Sequence, residues 1–168
     1  SAANLASGSR CQLRQHRRAI EYGARLAVID LHCHMLPGID DGAKDLPTAL
    51  AMAKMAVADG TQITYCTPHI YPGLYENRGP DIMHRVSEFQ LQLQQSDIPL
   101  RLHYGADVHL VPDLLRQIRS GDVPTLGGTR YLLLEPAHTV RPPRFVDTVF
   151  ELIGHGFVPV ITHPERLT

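Results

Sequence analysis

The stretch VIDLHCHMLPGIDDG, residues 28–42, sets His32 and His34 two positions apart at the end of an apolar run, then turns through Asp40 and Asp41. In a β-strand successive side chains alternate faces, so Asp30, His32 and His34 share one face while Ile29, Leu31 and Cys33 take the other. Two imidazoles displaced in this way can reach one cation. An isolated H-x-H pair more often marks hydrogen-bonded histidines than a metal site, so the rest of the chain must decide.

The elements that would position these groups alternate. AVIDLHCH, QITYCTPH, LRLHYGADV, RYLLLEP and FVPVITHPER read as five strands. DLPTALAMAKMAVADG reads as a helix with Asp45 as cap, Pro47 in the first turn and Gly60 as stop. In DIMHRVSEFQLQLQQ, Ile82, Val86, Phe89 and Leu93 recur at helical spacing. A short helix is expected in PDLLRQIRSG, and PRFVDTVFELIGHG sets Val146, Val149, Phe150 and Ile153 on one helical face. Strands alternating with helices imply parallel βα units, as an open doubly wound sheet or a barrel. No G-x-G-x-x-G or Walker loop follows a strand, which disfavours the nucleotide-binding versions.

The strand ends carry the chemistry. His32 and His34 close the first expected strand, His69 the second, Asp107 the third, Glu135 the fourth and His163 the fifth. The carboxyl ends of parallel strands converge on active sites, above all in barrels. Structural histidines would scatter, as His84, His103, His138 and His155 do. Mixed imidazole and carboxylate ligands suit Zn, Mn or Fe, and bridging carboxylates suit more than one ion.

Composition bounds the alternatives. The 168 residues, 43% hydrophobic and 20% charged with net charge −1, suit one globular domain. Residues 1–27 hold five arginines against one glutamate, which leaves 11 basic and 16 acidic side chains in the remainder. That acidic remainder suits divalent cations and not nucleic acid. The basic segment has the look of an organellar presequence or a basic arm, but is best read as an extension outside the fold, which opens near Val28. No apolar run is long enough to insert in a membrane. Three cysteines fit a reducing compartment better than a disulfide framework. Cys11 to Arg17 has the C-x5-R spacing of cysteine phosphatases, yet lacks the glycine such a phosphate loop needs.

IDLHCHMLPGIDDGA, CTPH, GADVHLVPDL, YLLLEP and VPVITHPER together resemble the PHP (polymerase and histidinol phosphatase) superfamily. More narrowly they resemble its bacterial metal-dependent protein-tyrosine phosphatases of capsule and exopolysaccharide synthesis. The resemblance spans residues 28–168 and implies a distorted TIM-like (β/α)7 barrel. It also implies two or three divalent ions, manganese before iron or zinc, and a cytoplasmic location. The implied substrate is phosphotyrosine on a bacterial tyrosine kinase.

Matched position by position, His32 and His34 hold the first ion, and Asp107 replaces the family's usual bridging glutamate. Glu135 and His163 complete the second site. His69 and Asp41, in preference to Asp40, belong to a third, and Arg166 binds the substrate phosphate with its planar fork. The family's late Asp-x-His pair has no counterpart in these residues, so the last barrel units are expected to lie beyond them. The implied mechanism is in-line attack by metal-activated hydroxide, with no protein nucleophile, so Cys11, Cys33 and Cys66 are bystanders. Two rival readings remain: a histidinol-phosphate or other small-phosphoester hydrolase, and a truncated metal-binding module without catalysis.

Overall fold

The computed structural model describes residues 28–111, 113–136 and 144–166. The basic segment 1–27, with Cys11 and its C-x5-R spacing, and His138 lie outside the described residues. The chain alternates as expected: β1 (Val28–Cys33), α1 (Leu46–Ala58), β2 (Thr61–Cys66), β3 (His69–Ile70), α2 (Gly79–Gln95), β4 (Arg101–Tyr104) and β5 (Asp107–His109). There follow α3 (Leu114–Ser120), β6 (Tyr131–Glu135), α4 (Phe145–Gly154) and β7 (Val158–Ile161).

Among the described residues every pairing between these strands is parallel, so the fold is mixed α/β. The strands form two sheets, β1-β2-β4 and β3-β5-β6-β7, and no closed barrel is present among the described residues. The expected second and third strands are each broken in two. Pro68, which has no amide to donate to a ladder, stands at the first break. Gly105 stands at the second, where a Cβ would lie 2.7 Å from Leu126 Cδ2 and 3.0 Å from Thr67 Cγ2. Two bonds carry the chains across the breaks together, Gly105 N–H to Cys66 O at 2.9 Å and Asp107 N–H to Pro68 O at 3.1 Å. His69 and Asp107 therefore open short strands, where long strands closing on them were expected, and they face each other in register.

The helices follow their sequence signals closely. The Asp45 carboxylate caps α1 by accepting the Thr48 amide at 2.9 Å, and Pro47 sits in the first turn. The α2 stripe Ile82, Val86, Phe89 and Leu93 is buried in one core with Leu100, Leu102, Leu132 and Leu134. Burying side chains of this size stabilises by about 1.5–3 kcal/mol each.

Helix α4 departs from expectation. Leu152 is buried, with Phe145 and Val149 packed on the core, whereas Val146, Phe150 and Ile153 are exposed. This helix is apolar on two stripes, and the one spaced 145-149-152 takes the core.

Candidate metal centre

The chemistry-bearing side chains come together from both sheets. His32, His34, Asp41, His69, His109, His163 and Arg166 line one cleft of about 620 Å³. Asp107 and Glu135 are fully buried against its histidines.

The turn after β1 arranges the first group. Asp40 Oδ2 meets His34 Nδ1 at 2.7 Å and accepts the His69 amide, while Oδ1 accepts the Gly42 amide. Gly42 is required here, because a Cβ would fall 1.9 Å from the His34 carbonyl oxygen. With Nδ1–H donated to Asp40, His34 keeps the Nε2 lone pair, and that atom lies 3.1 Å from His32 Nε2. Burial alone would lower the His34 pKa. The Asp40 contact, with the charges of Asp107 and Asp41, holds it above the usual imidazole value. Burial would likewise raise Asp40, but His34 and the two amides keep it below the usual carboxylate range. Asp41 is free of these bonds and stands 3.6 Å from His69 Nε2.

Asp107 is the hub of the second group. Its Oδ2 lies 3.3 Å from His32 Nε2 and 3.7 Å from His69 Nδ1, and Thr162 donates its hydroxyl to Oδ1 at 2.7 Å. Burial opposes its charge, yet His32 and Thr162 hold its pKa down. Glu135 Oε2 lies 3.2 Å from His69 Nδ1 and 2.6 Å from His109 Nε2, and Oε1 accepts Arg166 Nη1 at 3.2 Å. His163, in left-handed backbone at φ 48°, brings its ring to 5.2 Å from that of His32. A non-glycine residue held there stores strain of a kind that gathers at functional sites.

Divalent ions fit this donor set. Two nitrogens about 2.0–2.1 Å from one cation, at 90–109°, lie about 2.9–3.4 Å apart, and the His32–His34 spacing falls in that range. His69 Nδ1 and Asp107 Oδ2 are buried without a hydrogen-bond partner, which is costly unless something else satisfies them. Four overlapping triads have ligand atoms within 4.8 Å of one another: His32/Asp107/His163, His34/His69/Asp107, His69/His109/Glu135 and His34/Asp40/Asp41.

The grouping differs in part from expectation. Glu135 falls with His69 and His109, while His163, its expected partner, falls with His32 and Asp107. His109 was missed altogether. The period-two rule that singles out His32 and His34 applies equally to Asp107 and His109. His84 and His155 take exposed partners, Glu88 and Arg119, and His103 stacks on Tyr65.

Comparison with known proteins bears on this arrangement. A family described as capsular polysaccharide synthesis, CpsB/CapC, matches residues 28–168. The chain belongs to this family. It is 34% identical over 141 residues to the tyrosine-protein phosphatase YwqE of Bacillus subtilis, covering 83% of this chain and 55% of that protein. It is 27% identical to the putative tyrosine-protein phosphatase CapC of Staphylococcus aureus, covering 83% of this chain and 54% of that one. A solved chain superposes with a TM-score of 0.78 at 33% identity, covering 83% of this chain and 57% of its own length. It comes from the crystal structures of YwqE from Bacillus subtilis and CpsB from Streptococcus pneumoniae, metal-dependent tyrosine phosphatases. The chain thus spans about half the length of the curated relatives it matches. No helix among the described residues is long and apolar enough to cross a membrane.

Proposed function

We propose that residues 28–168 supply the βα units of a distorted TIM-like (β/α)7 barrel of PHP type, with 1–27 as a basic extension outside it. Its activity is metal-dependent hydrolysis of phosphotyrosine on a cytoplasmic bacterial tyrosine kinase that governs capsule synthesis. The single observation that supports this best is a cluster of five histidines and four acids in overlapping groups of ligand spacing, two of whose buried atoms, His69 Nδ1 and Asp107 Oδ2, make no hydrogen bond, in a chain of this family.

His32, His34, Asp41, His69, Asp107, Glu135 and His163 hold two or three ions, manganese before iron or zinc. The bound ions supply a water of lowered pKa and neutralise charge on the phosphoryl group. Asp40 fixes the tautomer of His34, as carboxylates commonly do for metal-ligating histidines. Asp107, kept ionised by His32 and Thr162, brings negative charge between neighbouring sites. Arg166, on the rim of the cleft, grips two phosphoryl oxygens with its fork. A tyrosine phenolate, of pKa about 10, departs with little proton assistance.

The test is hydrolysis of a phosphotyrosyl peptide with bound metal counted by elemental analysis. Chelation should abolish turnover and manganese should restore it; turnover that survives chelation overturns the reading. Turnover of small phosphoesters alone would favour a histidinol-phosphatase-like activity. Bound metal without turnover would favour a non-catalytic module.

A further inference from the structure

His109 lies outside the ligand set proposed above, yet its surroundings are built with care. It ends β5 two residues after Asp107, so both side chains leave the same face of the strand. Its Cα partner across the ladder is Glu135. The imidazole is buried, with only 8% of its side chain exposed, and its Nε2 stands 2.6 Å from Glu135 Oε2. Its other side is filled by Tyr71, whose ring stacks on it at 3.8 Å between centroids and 13° between planes. Tyr71 is itself pinned by paired backbone bonds with Tyr75, at 2.9 and 2.8 Å.

Distance separates the two roles His109 could play. Separate residues sharing one cation bring their ligand atoms no closer than about 2.9 Å, from the same bond lengths and a 90° angle. The His69 Nδ1–Glu135 Oε2 pair at 3.2 Å meets that condition. The His109 Nε2–Glu135 Oε2 pair at 2.6 Å is too close. It has instead the separation of a charge-assisted donor and acceptor.

We propose that His109 is a positioning residue, clamped by Tyr71, that holds the Glu135 carboxylate in place so that Glu135 and His69 can share a cation. The proposal rests on the metal-centre reading above. Groups that anchor ligating carboxylates typically change metal affinity about 10–100-fold when removed.

The experiment is Mn2+ titration of the purified 168-residue protein by calorimetry, with elemental analysis of the saturated sample and thermal unfolding of the metal-free one. His109→Phe keeps the ring on Tyr71 and removes the donor. His109→Gln places an amide N–H near the Nε2 position. The expected result for His109→Phe is an unchanged metal-free unfolding midpoint with one Mn2+ site weakened about 10–100-fold, and recovery in His109→Gln. Unchanged Mn2+ affinity in His109→Phe would overturn the proposal. So would His109→Gln losing a site outright at saturating Mn2+, since that marks a direct ligand. If His109→Phe fails to fold, the His109→Gln titration alone decides, wild-type affinity supporting the proposal and loss overturning it. Wild-type protein that binds no Mn2+ would instead sink the metal-centre reading.

Discussion

At the scale of single residues, Asp107 and Arg166 should fail differently. Asp107 is buried between His32 and His69, with Thr162 bonded to its other oxygen. Asp107→Asn keeps the shape and removes the charge proposed to hold neighbouring cations, so metal content per chain should fall. Arg166 touches Glu135 through one nitrogen and leaves 44% of its side chain exposed at the cleft. Arg166→Lys keeps a positive charge beside Glu135, so metal should stay, while loss of the bidentate fork should slow phosphotyrosyl-peptide hydrolysis about 10²-fold or more. Equal metal loss in both variants would make Arg166 a support for Glu135 alone. The cysteines give an independent check. Burial, with the charges of Asp30 and Asp40, pushes the Cys33 thiol up to about 12, and burial raises Cys66 as well. Both are protonated thiols at neutral pH, and only the thiolate attacks. Iodoacetamide should therefore leave hydrolysis intact where a chelator stops it; the reverse pattern would exclude the metal mechanism.

At the scale of elements, the helix starts are the most explicit features of the sequence and give a pH-dependent prediction. Thr48 donates its hydroxyl and amide to Asp45, which holds that carboxyl below the usual carboxylate range. A carboxyl with a depressed folded-state pKa stabilises most above its unfolded value, near 3.9, and loses that contribution as pH falls through the folded value. Asp45→Ala should thus lower the unfolding midpoint by about 2–4 °C at pH 7. The gap should close toward pH 3, and a gap that stays constant with pH would show that the cap acts without its charge. Cap, proline and stop glycine were legible for α1 because they are local signals, as was the α2 core stripe. The strand breaks at Pro68 and Gly105 were not; at the second, the space a side chain would need is taken by Leu126 and Thr67, distant in sequence. For the same reason strand ends were a sound guide to His32, His34, His69, Asp107, Glu135 and His163 as one cluster but a poor guide to which residues group together. Grouping depends on how two sheets meet at His69 and Asp107, which no single strand encodes. His109 was legible in principle, since D-x-H on one strand follows the same rule as H-x-H.

At the scale of the whole molecule, two apolar surfaces lie uncovered among the described residues. On β1, an edge strand, Ile29 and Leu31 are 51% and 47% exposed, and on α4, beside the edge strand β7, Phe150 and Ile153 are 69% and 53% exposed. Single exposed apolar residues are ordinary. Clusters beside unpaired strand edges are not, because backbone donors and acceptors there recruit another chain. Helix α4 sharpens the point, since a helix apolar on two stripes is normally enclosed on both sides. The match covers only about half of each of these relatives, and among the described residues these faces are open to solvent. It should bind a hydrophobic dye and self-associate at micromolar concentration in sedimentation velocity. The double variant Ile29→Lys/Phe150→Glu places charge on both faces and should shift the protein toward monomer. Neither side chain lines the cleft, so Mn2+ stoichiometry should not change. Dye binding that persists in a monomeric double variant would locate the sticky surface elsewhere. A wild-type chain that is already monomeric and dye-silent would show that these faces are closed in solution by chain outside the described residues.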